Sequence, residues 1–486
     1  MATVTVGRRW DPNRVRLALI GVVLLMAWGV VAWRLVDVQI ITAPEVADKG
    51  LEQRLVIRDL PPQRGKIFDR NGDLLAMTVE AQSLYAVPSQ VEEPLWVAQQ
   101  FGAFLDVDPD VLYERLTSDK DFVYIKRQVD SVVADELLAL GVTGVYSLPE
   151  ATRVYPAGAV ASHITGFVDI DGVGQEGLEI VYEDELRGVP GSAQFERDLA
   201  GRVIPQGETK ITPAVPGFDL NTTIDLPLQY QAQQACVEAV ERTDAASCWV
   251  VVLEVETGEI LAMTGAPTFD PETKLTSSGE PFSNFAVRGV YEPGSTQKLI
   301  TVAAALEEKT VSVNTLLPDI GDVLELRDGA CRSADDDLYG CYRDFDEHET
   351  RDMTVEEIFV QSSNVGTITI AETLGEAKLI DYIKAFGLGA QTGVDYTAEA
   401  PGILNFAAGC ETCWASGAIG YSVAATPLQM AAAYAAIAND GVWTTPHIVA
   451  SQTDADGTIE AAAPITRQVV SAETARLMRE LLAGVV

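Results

Sequence analysis

A long apolar run lies close to the N-terminus of the chain. Residues 17–33 include no charged side chain and are bordered by Arg16 and Arg34. The run is slightly shorter than the ~20 residues that span a bilayer, and snorkelling of the two arginines makes up the length. We therefore predict a retained transmembrane helix over residues 17–36 rather than a cleaved signal peptide. The basic residues 1–16 would form a cytoplasmic tail.

Beyond this run, strand-like alternation and helix-like periodicity succeed each other, which predicts an α+β protein of more than one domain. Asn71-Gly72 predicts a type I′ hairpin turn between two short strands. Residues 90–150 are typical of a small α/β insertion with amphipathic helices over Leu95–Leu105 and Ala134–Leu140. The segment Val203–Phe218 is rich in Pro, Gly and Thr, and it indicates a domain boundary.

The region after this boundary predicts a strand, a helix and two antiparallel strands. The first strand covers Leu220–Asp225, the helix covers Leu228–Arg242, and a buried, Val-rich strand covers Cys248–Glu254. Thr257-Gly258 predicts the hairpin turn into a further strand over Glu259–Met263.

The composition is that of a globular protein, but the charge is unusual. Hydrophobic residues make up 47% and charged residues 22% of the chain. Its length of 486 residues is enough for two or three domains with their own cores. The net charge of −37 argues against binding nucleic acid or anionic lipid headgroups through a general electrostatic field. A salt-adapted surface and a simply very soluble one both remain open as explanations.

The six cysteines permit disulfides in an exported domain, with fifteen possible pairings. Cys331 and Cys341 bracket an Asp-rich loop and are the first pair that we expect. Cys410-x-x-Cys413 is compatible with a tight disulfide, two free thiols, a redox pair or half of a metal site. We favour a local structural pair or two free thiols, because no second Cys pair or His lies at zinc-site spacing. The histidines are scattered and suggest no metal triad: His163, His348 and His447.

The first candidate for chemistry is a serine at the start of a helix. Pro293-Gly294 predicts a turn, and the apolar run at helical spacing after Lys298 places Ser295 in the first helical turn. Lys298 follows three residues later and shares one face of the helix with Ser295. A desolvated lysine can take the proton of a serine if its pKa falls towards neutrality. Alone, such a pair is more often an N-capping serine beside a solvated lysine.

A second motif changes this interpretation. Ser362-x-Asn364 lies downstream, after an apolar helical segment. Ser-x-x-Lys followed by Ser-x-Asn resembles the serine acyltransferases that recognise penicillin, whose third motif is Lys-Thr-Gly. The chain thus resembles a class B penicillin-binding protein, a peptidoglycan D,D-transpeptidase, and its division branch more than its elongation branch. Further stretches are similar to the pedestal of that family: residues 64–72, 153–156, 163–168 and 174–179.

The resemblance implies an architecture of four parts: a cytoplasmic tail, a transmembrane anchor, an elongated α/β pedestal of the dimerisation type, and a transpeptidase domain with an antiparallel sheet flanked by helices. Their expected bounds are 1–16 for the tail, 17–36 for the anchor, 37–218 for the pedestal and 219–486 for the transpeptidase domain.

The resemblance also implies a setting in the cell. The catalytic domain would lie outside the bacterial plasma membrane and work with a membrane glycosyltransferase and other division proteins. A structural role, which ties the pedestal to the catalytic domain, is implied for four residues: Arg64, Asp69, Arg70 and Glu179.

The chemistry that the resemblance implies involves four side chains. Ser295 would attack the D-Ala-D-Ala end of a stem peptide, and Lys298 would take its proton. Ser362 would relay the proton to the leaving D-alanine, while Asn364 would bind the substrate amide and hold Lys298 in place. An amino group from a neighbouring strand would then resolve the ester, and β-lactams would acylate Ser295 in place of the substrate. No metal or organic cofactor is expected.

The third motif is missing from the 486 residues. No Lys-Thr-Gly occurs, and no equivalent follows Asn364 before Val486, which lies in a helical pattern that begins near Ala472. Because the corresponding strand follows such a helix in relatives, we expect the chain to end just short of it. The strand supplies an oxyanion-hole N–H, the loss of which costs roughly 10²–10³ in rate, so we expect poor activity from the chain as written.

Two other functions remain open. A β-lactamase or β-lactam sensor shares the first two motifs, but it would need neither the anchor nor the pedestal. A membrane-anchored, non-catalytic scaffold of a wall-synthesis complex would explain the missing strand. Rapid turnover of penicillin would favour the β-lactamase, whereas a long-lived adduct would favour the transpeptidase.

Overall fold

The protein is described by a computed structural model that covers residues 12–42, 55–196, 204, 209–273, 282–332, 338–407, 409–454, 457, 459–461 and 464–485. The chain falls into two compact units, Met1–Pro62 with Val189–Val215, and Gln63–Gly188 with Pro216–Val486. The tail arginines Arg8 and Arg9 and the Asp-rich residues 333–337 lie outside the described residues.

The described residues include sixteen α-helices, some of which were predicted from periodicity. In chain order they are α1 (Pro12–Val36), α2 (Pro94–Leu105), α3 (Pro109–Leu116), α4 (Ser131–Leu138), α5 (Ser162–Thr165), α6 (Gly177–Val181), α7 (Glu183–Arg187), α8 (Leu226–Thr243), α9 (Phe285–Arg288), α10 (Lys298–Glu307), α11 (Val355–Val360), α12 (Asn364–Leu374), α13 (Glu376–Ala385), α14 (Cys413–Ala418), α15 (Pro427–Ala438) and α16 (Ala472–Ala483).

The strands alternate with these helices along the chain. They are β1 (Leu55–Leu60), β2 (Ile67–Phe68), β3 (Leu74–Ala86), β4 (Val123–Asp130), β5 (Val145–Val154), β6 (Gly191–Glu196), β7 (Thr209–Thr212), β8 (Asp219–Thr222), β9 (Cys248–Leu253), β10 (Ile260–Ala266), β11 (Leu316–Ile320), β12 (Val323–Glu325), β13 (Cys341–Arg343), β14 (Arg351–Thr354), β15 (Ile403–Leu404), β16 (Val423–Ala424), β17 (Val442–Thr444), β18 (Val449–Thr453), β19 (Ile459–Ala461) and β20 (Thr466–Gln468).

The first unit contains the apolar helix predicted over residues 17–36. Helix α1 continues as a short π-helix over Asp37–Ile41, and the stretch Asn13–Ile41 has a mean hydropathy of 2.3 in its most apolar window. This helix is long and apolar enough to cross a membrane. The same unit contains an antiparallel sheet in the order β1-β6-β7.

A seven-stranded sheet organises the second unit. Its order is β19-β18-β8-β2-β3-β4, with β5 paired to β3, and β2 runs parallel to β8 while the other pairs are antiparallel. Helices α2, α3 and α4 contribute buried apolar residues to one cluster with strands β3, β4 and β5. This arrangement confirms the small α/β insertion and its two amphipathic helices.

The hairpin between β2 and β3 is present, but its turn is not of type I′. A type I′ turn needs positive φ at both central residues, whereas only Gly72 (φ +91°) has it here. The Asp69 carboxylate accepts hydrogen bonds from the N–H groups of Asn71 (2.7 Å) and Asp73 (2.8 Å). The side chain of Asp69 therefore sets a longer loop, in which Gly72 supplies the left-handed residue.

A buried carboxylate joins distant segments of the second unit. Glu179 is fully buried and accepts hydrogen bonds from Arg64 Nε and Arg153 Nε, both at 2.7 Å. Arg64 also pairs with Glu183 at 2.7 Å. The cluster thus holds two positive and two negative charges, which offset one another where water is excluded.

Two further residues of the stretch 64–72 form hydrogen bonds with residues after position 218. Arg70 donates to Glu259 Oε2 at 3.3 Å, and the Asp69 carboxylate accepts from the Leu226 N–H at 3.3 Å. Of the four residues with an expected structural role, Asp69 and Arg70 make the link to the region after 218. Arg64 and Glu179 connect segments that precede it.

The predicted strand–helix–strand–strand pattern is confirmed in β8, α8, β9 and β10, with one difference. Strand β9 was predicted to be buried, yet each of its residues is only half-buried. Among the described strands β9 pairs with β10 alone, so its other edge is open. Apolar content therefore overestimated the burial of this strand.

Helix α10 lies at the centre of the largest apolar cluster. All its residues from Lys298 to Leu306 are buried, and α11, α12, α13, α15 and α16 supply apolar residues to the same cluster. Such a helix is held by packing on all sides, which fixes the position of the turn that precedes it.

The six cysteines form three disulfides between cysteines that are consecutive in the chain. The pairs are Cys236–Cys248, Cys331–Cys341 and Cys410–Cys413. The expected Cys331–Cys341 pair is confirmed, and the Cys-x-x-Cys sequence is a local disulfide rather than a pair of free thiols.

Candidate active site

Ser295 sits in a single 3₁₀ turn over Gly294–Gln297 that runs directly into α10. Two glycines allow this turn to approach another segment closely: the Gly294 N–H donates to the Gly420 carbonyl at 3.1 Å. A Cβ atom on Gly420 would lie only 2.1 Å from the carbonyl oxygen of Gly294. The turn is therefore held against Gly420, and Ser295 is exposed to solvent.

Lys298 begins α10, one turn after Ser295, and its side chain is buried. The residue is 2% exposed, and its Nζ donates to the carbonyl oxygen of Ser362 (2.5 Å) and to the hydroxyl oxygen of Ser362 (3.1 Å). Burial lowers the pKa of Lys298 to about 8, and the negative charge of Asp344 opposes this shift. A substantial fraction of the amine is therefore neutral slightly above neutral pH.

The loop that presents Ser362 is set by the two helices that flank it. A capping box of Thr354 and Glu357 starts α11, and the Ser363 hydroxyl accepts the Gly366 N–H at the start of α12 (2.8 Å). Between the helices Ser362 adopts a left-handed conformation with φ +55°. This conformation costs about 1 kcal/mol for a non-glycine residue, and such strain is frequent at functional sites.

Asn364 is held by a strand rather than by the lysine. Its side-chain amide donates to the carbonyl oxygen of Arg343 on β13 at 2.7 Å. Among the described residues, both hydrogen bonds of Lys298 go to Ser362, so the expected contact between Asn364 and Lys298 is not seen. Asn364 therefore connects the Ser362 loop to the hairpin of β12 and β13.

The Ser295 hydroxyl makes no hydrogen bond to any residue in the described part of the chain. Catalytic hydrogen bonds are often long or absent before substrate binds, so this geometry leaves Ser295 available to a ligand. The structure brings Lys298 and Ser362 into direct contact, places Ser295 one turn before the lysine, and places Asn364 two residues after Ser362.

Two residues of this region escaped the sequence analysis. Asp344 follows β13, and its carboxylate accepts the Val365 N–H at 2.9 Å and contacts His348 Nε2 at 3.0 Å. His348 was treated only as a scattered histidine. The available signal was an Asp and a His four residues apart, shortly before Ser362-x-Asn364, but that spacing alone does not indicate a contact with another motif.

Two protein-family models match successive regions of the chain. The penicillin binding protein transpeptidase domain matches residues 248–486, and the penicillin-binding protein dimerisation domain matches residues 59–222.

Individual relatives extend over both matched regions. Stage V sporulation protein D of Bacillus subtilis is 34% identical over 441 residues, which cover 88% of this chain and 66% of that protein. Peptidoglycan D,D-transpeptidase FtsI of Escherichia coli K12 is 29% identical over 446 residues, which cover 88% and 71%. The chain thus spans about two thirds of the length of these curated relatives.

A solved structure supports the same assignment. Penicillin binding protein 3 from Mycobacterium tuberculosis, in complex with aztreonam, superposes with a TM-score of 0.65 at 27% identity, covering 88% of this chain and 76% of that one. The matched regions include both Ser295-x-x-Lys298 and Ser362-x-Asn364. The chain therefore belongs to the class B penicillin-binding proteins, in the FtsI-like branch of these transpeptidases.

Proposed function

We propose that the chain is a peptidoglycan D,D-transpeptidase, which cross-links stem peptides during septal wall synthesis through an ester on Ser295. The observation that carries this proposal is the buried amine of Lys298, one helical turn from an exposed serine and bonded to Ser362. The names of the relatives, peptidoglycan D,D-transpeptidase among them, support the same reaction.

The hydrogen bonds of Lys298 suit a base. A neutral amine has two N–H groups and one lone pair, and here two N–H groups donate to Ser362. The lone pair then remains for the proton of Ser295. Because burial brings the pKa of Lys298 to about 8, this form is accessible under physiological conditions.

Acylation then proceeds by a balanced exchange. Ser295 Oγ forms a bond to the carbonyl carbon of the penultimate D-alanine, and its proton passes to Lys298 Nζ. The Ser362 hydroxyl relays a proton to the nitrogen of the terminal D-alanine as the peptide bond breaks. Asn364 binds the substrate amide through the part of its side chain that does not contact Arg343.

The second half-reaction uses the same groups in the reverse direction. An amine of a neighbouring stem peptide attacks the ester carbonyl and loses its proton to this relay, which restores the Ser295 hydroxyl. The Ser295 N–H, at the start of a helical turn, serves the oxyanion. No step is assigned to a third motif, because these 486 residues contain no Lys-Thr-Gly.

The proposed domains are a tail (1–16), an anchor (17–36), a pedestal (37–218) and a transpeptidase domain (219–486). With the N-terminus in the cytoplasm, the transpeptidase domain lies outside the plasma membrane, where stem peptides occur. A membrane glycosyltransferase and other division proteins are the proposed partners, since the glycan strands must be made before they are cross-linked.

The nucleophile is tested by covalent labelling. After long exposure to a fluorescent penicillin, mass spectrometry of the digested protein should find the adduct on the peptide that contains Ser295. Ser295→Ala should remove the label, whereas the control Ser118→Ala, a half-buried serine of the insertion, should retain it. Labelling that persists in Ser295→Ala would refute the assignment, and turnover of the adduct within seconds would instead support a β-lactamase.

A further inference from the structure

The proposed base lies near a carboxylate that works against its function. The Asp344 side chain is only 6% exposed, and its charge favours the protonated form of Lys298. A base that must be neutral before it can accept a proton is disadvantaged by such a neighbour. A cation beside Asp344 would offset this charge and favour the neutral form of Lys298 further.

His348 has the geometry of that group. Its Nε2 lies 3.0 Å from Asp344 Oδ2, and its Nδ1 lies 3.0 Å from the carbonyl oxygen of Glu349. Both partners accept hydrogen bonds, and a carbonyl oxygen cannot donate. Only the doubly protonated imidazolium can donate to both acceptors at once. The imidazole is a quarter exposed, so it exchanges protons with solvent.

The carboxylate is also tied to the loop that contacts Lys298. Its other oxygen accepts the Val365 N–H at 2.9 Å, directly after Asn364. Two acidic residues, Asp344 and Asp322, act on His348 through their charge, and its hydrogen bonds to Glu349 and Asp344 raise the His348 pKa. The surroundings thus favour the imidazolium, while burial lowers the pKa of Lys298 and the negative charge of Asp344 raises it against that effect.

We infer that His348 is a positioning residue of the proposed reaction, whose imidazolium pairs with Asp344 and thereby keeps the Lys298 amine available as a base. The inference rests on the role proposed for Lys298. His348 would act through its charge rather than through contact with substrate. When His348 loses its proton, one hydrogen bond to an acceptor is lost and the full charge of Asp344 acts on the lysine.

The inference predicts opposite effects for the two partners. His348→Gln leaves the Asp344 charge unpaired, so the pKa of Lys298 rises and the pH at which acylation becomes fast moves up by about 0.5–1 unit. Asp344→Asn removes the charge but can still accept the Val365 N–H, so the same limb moves down. His348→Lys keeps a positive charge and should restore the profile towards that of the unchanged chain.

Two measurements test these shifts. One is the pH dependence of the rate of Ser295 acylation by a fluorescent penicillin. The other is an NMR titration of ¹³C-labelled lysine, with the Lys298 signal assigned by its loss in Lys298→Arg, which needs no catalysis. A merely structural role for His348 would lower the stability of His348→Gln without moving either titration, and this result would overturn the inference.

The outcomes separate the inference from the proposed function. If labelling persists in Ser295→Ala but the Lys298 titration shifts in opposite directions in the two variants, the transpeptidase mechanism fails and the charge coupling stands. If the adduct forms and both titrations stay unmoved in His348→Gln and Asp344→Asn, the coupling is wrong and the mechanism stands.

Discussion

Replacing the buried Glu179 by glutamine should destabilise the second unit strongly. The substitution keeps the shape of the side chain but removes the charge that faces Arg64 Nε and Arg153 Nε. A glutamine offers one oxygen, so its NH₂ group must face the second arginine as a donor against a donor. One arginine would then be buried without its partner.

The size of this effect follows from the burial. Glu179 is 0% exposed, and Arg64 and Arg153 are 7% and 8% exposed, so water cannot replace the lost interaction. Removal of one partner from a buried ion pair costs about 3–5 kcal/mol. For a cooperative unit of nearly 400 residues, this corresponds to a fall in Tm of about 4–6 °C.

The assay is thermal unfolding followed by tryptophan fluorescence in detergent micelles. The matched control is Glu480→Gln, since Glu480 pairs with Arg476 on α16 and both side chains are more than half exposed. An exposed pair of this kind contributes about 0.3–0.5 kcal/mol, so the control should unfold within 1 °C of the unchanged chain. Equal Tm values for the two variants would show that the buried cluster does not stabilise the fold as argued.

Three more predictions concern the candidate active site. The acylation rate should rise with pH through the Lys298 pKa of about 8, because only the neutral amine accepts a proton, and a flat profile between pH 6 and 9 would contradict this role. Ser362→Gly relieves about 1 kcal/mol of strain at φ +55° but removes the hydroxyl that accepts from the buried Lys298, so stability in a denaturant titration should change by less than about 1 kcal/mol while acylation slows by roughly 10²-fold or more. Gly420→Ala should lower the melting temperature more than the control Gly375→Ala. Both glycines have φ near +85°, but only a Cβ at position 420 would clash with Gly294. Equal melting temperatures of the two variants would refute the clash.

The parts of the fold that depend on local pattern could be predicted from the sequence. Helix α8 and the amphipathic helices α2 and α4 were found because their apolar positions recur with the helical period. The Ser295 turn was found because Pro293-Gly294 precedes an apolar run. These signals lie within one element and need no knowledge of what packs against it.

The remaining features depend on contacts between distant segments. The left-handed Ser362 is enforced by the helices on both sides, and the same sequence allows other conformations elsewhere. The contact from Asp344 to Val365 and the half-burial of β9 arise only when separate segments meet. The turn at Asn71-Gly72 was mistaken because the Asp69 side chain competes for its N–H groups.

The order of the disulfides has a consequence for how an exported chain matures. Each cysteine is bonded to the next one in sequence, with separations of 12, 10 and 3 residues. In the proposed topology the N-terminus stays in the cytoplasm and the region after the anchor emerges in sequence order, so every thiol appears outside shortly before its correct partner. Oxidation in order of emergence yields the native set directly, without a reshuffling catalyst to correct long-range mispairing.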